Sequence, residues 1–491
     1  MIDRSLWQRF VEIADRDPNR PAIIDVTAQA EWTYGMVRER AEGAAEILAS
    51  CQEQFIVQIG EPDGASLPLV LAATCAGKTF VPLSDREPPA RLAQMIQGFG
   101  DRLVVCPDAG CADALGLGQD RIGLGLDGLM AWRVADDAAA LEGTDAPFLI
   151  THSSGSTGLP KAIAISQAVK LKRSLQSIEL FGITPDDRVL SVSPLHHSLG
   201  QRHLFVSLLS GAALIKAYPF VPDRWITAAR AYRSTLAIAV ATHLKVLQPA
   251  LSADPGILDS FRVMVTSSAP AEAEFKTKVL DAAAFEFWEI YGMTEAACVT
   301  AVRYQKGLDT AHLGTALPGV EIRIRDGEIQ LKSAYLCDGY FGAPARWQDA
   351  FTEDGWFRSG DLGRIDERGR LYYLGRQGES FQSAGLVVFP AEVEAGLQGC
   401  RDVLDCVAFG VPNTVFENLV GLAYVPSHDA VTDRDILAFA RTALPKHCVP
   451  ARICRFERFP TLTSGKLDRK QIVSLSLEAL RDPVARVDIV Q

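Results

Sequence analysis

The chain is poor in the features that mark several common classes of protein. Its ten cysteines include no C-x-x-C pair and no Cys/His cluster at zinc-ligand spacing, so neither a zinc module nor a dithiol redox centre is expected. Scattered in this way, they are expected to be reduced, largely buried thiols of a cytoplasmic protein. Positive charge is not in excess: 49 Lys and Arg stand against 60 Asp and Glu, a formal net charge of −11. A nucleic-acid partner would demand a basic surface and is therefore not expected. No long uninterrupted apolar run occurs. The most apolar stretch, Leu67 to Leu83, is broken by Pro68, Gly77, Lys78 and Pro82, which reads as buried core rather than a membrane span. The opening Met1–Trp7 lacks the basic-then-apolar layout of a secretory leader. Internal repeats and low-complexity tracts are also missing.

What remains is ordinary globular material. The 491 residues are 48% hydrophobic and 22% charged, enough for more than one core, and the length suggests about two to four domains. Helical periodicity covers Trp7–Ile13 and Val37–Leu48, the second starting near Thr33 or Gly35. Short apolar runs at 55–59, 102–106, 236–240 and 263–265 read as buried strands, so the first part of the chain is α/β with mainly parallel sheets. After about Gly307 the texture changes to clean alternation. Val320–Arg325 and Glu328–Leu331 flank Asp326-Gly327, a hairpin signal. A second pair, 362–366 and 370–374, flanks Glu367–Gly369 and extends an antiparallel, barrel-like unit. The last module carries a helix at Pro390–Leu397, a strand at Val403–Phe409 and a helix at Asp433–Leu444.

Two glycine motifs are decoys. Gly123-Leu-Gly-Leu-Asp-Gly128 matches G-x-G-x-x-G but follows only a weak strand, so the dinucleotide-binding context is missing. Gly155 to Lys161 lacks Walker spacing, and Pro160 before Lys161 forbids a helix opening there. The segment does have chemistry of its own. An apolar strand, Phe148–Ile150, runs into Ser153-Ser154-Gly155-Ser156-Thr157-Gly158 and then Lys161. Glycines let backbone N–H groups converge, hydroxyls add neutral donors and the lysine adds charge, which together suit a polyphosphate.

This loop resembles the phosphate loop of the adenylate-forming superfamily: acyl- and aryl-CoA ligases, peptide-synthetase adenylation domains and beetle luciferases. The family pattern [ST]-S-G-[ST]-T-G-x-P-K is met by Ser153 through Lys161. Trp32–Gly35 and Ala76–Leu83 resemble early family motifs. Tyr291-Gly292-Met293-Thr294-Glu295 matches Y-G-x-T-E, Gly355 to Asp361 matches G-W-x-x-[TS]-G-D, and Thr463-Ser464-Gly465-Lys466 matches the C-terminal lysine motif. All lie in family order across essentially the whole chain.

The resemblance implies ATP and Mg²⁺, a carboxylic acid activated as its acyl-adenylate, and transfer to the thiol of coenzyme A or of the phosphopantetheine on an acyl carrier protein. It implies that Ser153 to Gly158 and Lys161 hold phosphates, with Thr294. Glu295 would help to hold Mg²⁺, and Tyr291 would pack on adenine beside Ala269. Asp361 would accept from the ribose hydroxyls, with Arg376 adding a donor, and Lys466 would reach the reacting carboxylate. In-line attack of a carboxylate on a phosphate brings two anions together, so such cations are what the chemistry needs.

Pro194-Leu-His-His-Ser-Leu-Gly200 resembles the family's P-x-x-H-x-x-G stretch, whose second histidine, here His197, lies beside the acyl pocket and gates it. Domains specific for α-amino acids place an aspartate just after it, where this chain has Ser198. A neutral serine leaves a substrate ammonium unpaired, so an acyl or aryl acid without an α-amino group is expected. Ser267, Ser268 and Met293 complete the candidate pocket. The family hinge is also altered: Gly375-Arg376-Gln377-Gly378-Glu379 puts Gly378 at the pivot, where glycine permits wide rotation. The expected architecture is an N-terminal AMP- and acyl-binding domain, 1–376, and a small mobile α+β domain, 377–491, that carries Lys466.

Overall fold

The structure, a computed structural model, describes residues 5–135, 147–153, 161–267, 273–282, 284–307, 309–383, 386–462 and 465–481. Its larger, N-terminal part is built on two sheets. The first has nine strands, with a parallel centre of Pro21–Asp25, Ala213–Lys216, Arg188–Ser191, Leu236–Val240, Val263–Ser267 and Glu286–Met293, and antiparallel strands at both edges. The second has eight, centred on the parallel strands Arg102–Val105, Phe55–Ile59, Thr79–Leu83 and Leu149–Ser153.

The apolar runs read as buried strands are these central strands. Phe55–Ile59 and Leu236–Val240 are buried at every position, as strands covered on both faces must be. Helices Leu6–Arg16, Tyr34–Ser50, Pro68–Cys75 and Ser198–Leu208 contribute Phe10, Leu48, Leu71 and Phe205 to one core that also contains Ile23 of the first sheet and Ile56 and Phe80 of the second. Burying each such side chain is worth about 1.5–3 kcal/mol. Thr33 caps the second helix, its hydroxyl accepting from the Met36 N–H at 3.3 Å. The stretch from Leu67 to Leu83 is a buried helix, a turn and a strand.

Beyond Gly307 the alternating segments form a four-stranded antiparallel sheet, Val320–Arg325, Glu328–Ser333, Phe357–Ile365 and Leu371–Arg376. Its two outer strands do not pair with each other among the described residues. Asp326 and Gly327 both take positive φ, 51° and 78°, the two left-handed residues that a tight type I′ hairpin requires. The smaller, C-terminal part is a mixed sheet covered on both faces. Val407, Phe409 and Ala423 face Phe456 and Ile472, while Ala408 and Leu422 face Val393, Leu397 and Ile436. The G-x-G-x-x-G decoy is a turn between the short strands Arg121–Gly123 and Met130–Val134, and no helix follows it.

Candidate functional site

The Y-G-x-T-E segment folds as a hairpin. Tyr291 to Met293 end one strand, Thr294 to Ala296 turn, and Ala297 begins the return strand. Gly292 is needed at this bend, because a Cβ would stand 1.9 Å from the Ala297 carbonyl oxygen. Arg173, buried on the helix Gln167–Leu180, pins the turn by donating to the carbonyls of Thr294, Glu295 and Tyr335 at 3.0, 2.6 and 2.8 Å.

Around this hairpin two opposite-charge contacts assemble. The Tyr291 hydroxyl donates to Asp361 Oδ2 at 2.8 Å, and Arg376 Nε lies 3.8 Å from Asp361 Oδ1. Asp361 and Arg376 are register partners on adjacent strands, so the sheet itself brings them together; Asp361 is a strand residue rather than a loose turn aspartate. Burial pushes the Asp361 carboxyl up, against the pull of Arg376 and Tyr291. On the other side Glu295 Oε1 lies 3.6 Å from Lys161 Nζ and accepts from the Tyr340 hydroxyl at 3.1 Å, while Lys161 donates to the same hydroxyl at 3.1 Å. Ser153 and Lys161 are register partners at the ends of their two strands. Ser154, Gly155, Ser156, Thr157 and Gly158 lie outside the described residues, as do Ser268 and Ala269. Ser267 is buried at the end of its strand.

The acid side is formed by the Pro194–Gly200 stretch. His197 is the N-terminal cap residue of the helix Ser198–Leu208. Burial, aided by the Lys466 ammonium, lowers its imidazole to about 4, so it is neutral near pH 7. Ser198, Met293 and Thr294 line a common cavity.

Lys466 comes from the far end of the chain. Gly465 takes φ +80°, and the Leu462 N–H donates to the Lys466 carbonyl at 2.7 Å, closing a turn. That turn packs on the helix Ala241–Ala253: the Thr242 hydroxyl donates to the Gly465 carbonyl at 2.6 Å. A Cβ on Gly465 would stand 2.3 Å from His243 Nε2, so glycine answers both the turn and the close approach. Lys466 is thereby held in the fields of Asp361, Arg376 and His197, and burial lowers its ammonium from the ordinary lysine value. The other motif residue, Gly378, lies on the exposed turn after Arg376 with φ +86° and open space around it.

The sequence reading missed Tyr340, which bridges Lys161 and Glu295 from a two-residue strand paired with Lys161–Ile165. It also missed Arg173, Lys170 and Arg202. Their signal was present: Lys170, Arg173, Ser174 and Ser177 fall on one helical face, and that polar face is the buried one.

Comparison with known proteins places the sequence and the fold. The sequence profile of the AMP-binding enzyme family matches residues 10–341, and that of the AMP-binding enzyme C-terminal domain matches residues 392–466. The chain is 28% identical over 447 residues to a feruloyl-CoA synthase of Amycolatopsis sp., covering 85% of this chain and 88% of that protein. It is 24% identical over 479 residues to the long-chain-fatty-acid–CoA ligase FadD13 of Mycobacterium tuberculosis, covering 92% and 94%. Its fold matches ATP-bound MatB from Rhodopseudomonas palustris with a TM-score of 0.83 at 24% identity, over 98% of this chain and 100% of that one.

Proposed function

Because this chain belongs to the AMP-binding enzyme family, we propose that it activates a carboxylic acid with ATP and passes the acyl group to coenzyme A. The observation that carries this reading is the position of Lys466, which stands in the fields of both Asp361 and His197. In the first half-reaction a carboxylate oxygen attacks the α-phosphorus, the bond to the bridging oxygen of the β-phosphate breaks, and pyrophosphate leaves. Lys466 offsets the meeting of two anions at that step. In the second, the thiol sulfur attacks the acyl carbon, the acyl–oxygen bond breaks, AMP leaves and the thiol proton is released.

Each assigned residue suits its task. Asp361 already accepts from the Tyr291 hydroxyl and keeps lone pairs for the ribose hydroxyls, with the Arg376 guanidinium 3.8 Å away. Tyr291 offers its ring to adenine, and Ala269 is assigned to the same nucleotide. Ser153 to Gly158, Lys161 and Thr294 take the phosphates. Among the described residues no group of three or more metal-ligating side chains occurs. A single carboxylate, Glu295, fits Mg²⁺, which is commonly held by one or two carboxylates plus substrate phosphates and water. Bound there, Mg²⁺ would neutralise phosphate charge. His197, neutral and half-buried, gates the acid pocket formed with Ser198, Ser267, Ser268 and Met293. Ser198 in place of an acid excludes a paired α-ammonium, so the substrate is an acyl or aryl acid without an α-amino group.

The division at residues 376 and 377, with Gly378 as pivot, would let one site serve both half-reactions. No described helix is long and apolar enough to cross a membrane, and all ten cysteines are free; we place the protein in the cytoplasm. The test is ATP–pyrophosphate exchange across fatty, aromatic and α-amino acids, followed by thioester assay with coenzyme A and with a phosphopantetheinyl carrier protein. Exchange with non-amino acids and transfer to coenzyme A are expected. Selective exchange with an α-amino acid, or transfer only to the carrier, would contradict the respective half of the reading.

A further inference from the structure

We infer that the acid activated here carries a second anionic group, a carboxylate at the far end of a short chain, received by Arg202 and Lys170. This inference rests on the ligase reading and narrows its substrate. Three cations, Lys170, Arg173 and Arg202, line the same cavity as Ser198, Met293 and Thr294. Arg173 is occupied by backbone carbonyls. Among the described residues the other two have no acidic partner. Lys170 is 6% exposed, and its ammonium donates to the neutral Gln201 Oε1 at 3.1 Å and lies 4.8 Å over the Phe205 ring. The charged side chains that act on it are Arg173 and Arg202, both of like sign. Arg202 has a buried Nη1 without a hydrogen-bond partner, and no carboxylate pairs with it among the described residues.

Like charges crowded in a poorly solvated cavity repel one another, and an unpaired buried cation is costly. Structural ion clusters avoid this by including acids, as Lys276 does with Glu289 at 2.6 Å elsewhere in this fold. Among the described residues nothing supplies a counter-charge to Lys170 or Arg202, so an entering anion completes the cluster. The position says which part of the substrate it is. The reacting carboxylate belongs beside Lys466 and His197. Arg202 follows Ser198 by four residues, about 6 Å farther along the helix. A dicarboxylate of about four to six carbons spans that step, whereas the far end of a fatty chain would meet charge.

The experiment is pyrophosphate exchange by the full chain with butanedioate, pentanedioate and hexanedioate against the methyl-ended acids of equal length. The diacids are expected to exceed their partners in kcat/KM by about a hundredfold, since a site built for a polar group is left unpaired by an analogue lacking it. Arg202→Met should abolish that preference while leaving monoacid exchange within about threefold. The diacid-to-monoacid ratio within one variant is insensitive to partial misfolding, and Lys170→Met should shift it the same way. Wild-type preference for monoacids, or an equal loss of both in the variants, overturns the inference but leaves the ligase reading standing. No exchange with any acid, aromatic and fatty acids included, overturns both. Calorimetry with inorganic phosphate and pyrophosphate separates the other source of anions: binding to wild type that Arg202→Met abolishes, with diacid preference unaffected, would assign the cluster to phosphate instead.

Discussion

The proposed nucleotide face and the acid cavity share one hairpin, yet they handle charge in opposite ways. On the nucleotide face the chain supplies both signs: Lys161 meets Glu295, and Arg376 meets Asp361. In the cavity Lys170 and Arg202 meet no acid among the described residues. Both sites are proposed to receive anions, but only the first receives a metal ion as well. A face that must hold a polyphosphate together with Mg²⁺ needs a carboxylate among its lysines and arginines. A pocket for a bare anion is better without one. The contrast follows from ligand chemistry and could not be inferred from net charge, which is negative for the whole chain.

The comparison breaks most visibly at Asp361. Asp361→Ala removes the acceptor of Tyr291 and the partner of Arg376, and should raise the apparent constant for ATP about a hundredfold while moving that for the acid by no more than about threefold. Steady-state kinetics in each substrate check this. Equal changes in both constants would make Asp361 a structural strand residue.

A smaller effect sharpens the other half. Lys170→Met replaces an unpaired buried cation with an apolar chain of similar length, and should stabilise the ligand-free protein by about 1–3 kcal/mol in denaturant unfolding at pH 7. The sign with pH follows from the lysine's lowered value in the folded state. Between that value and the ordinary lysine pKa the unfolded chain binds more protons, so wild-type stability rises with pH. The advantage of Lys170→Met should therefore shrink from pH 7 towards pH 10. A destabilised variant with no such trend would mean that Lys170 is an integral core donor to Gln201.

Much of this was legible in sequence because it is local. Continuous apolar runs became two-faced central strands, Asp326-Gly327 became a left-handed turn, and Thr33 became a cap through its own hydroxyl. Asp361 and Arg376 were legible as neighbours of two paired strands, but the irregularity between Leu362 and Gly363 that sets them in register was not. What stayed hidden depends on distant approach. Tyr340 reaches Lys161 and Glu295 because its short strand joins another 175 residues or more earlier in the chain. Lys170 reads as a surface lysine until the helix face that carries it is packed against Gln201 and Phe205. The need for glycine at 465 arises only when the turn meets His243.

The central claim is that Lys466, delivered from the C-terminal part, serves adenylation. The direct measurement is Lys466→Ala assayed in two halves: ATP–pyrophosphate exchange, and thioester formation from preformed acyl-adenylate. Loss of one cation placed against developing charge should slow exchange by about a hundredfold or more, while transfer from the preformed adenylate falls far less. Wild-type exchange in the folded variant would contradict the account.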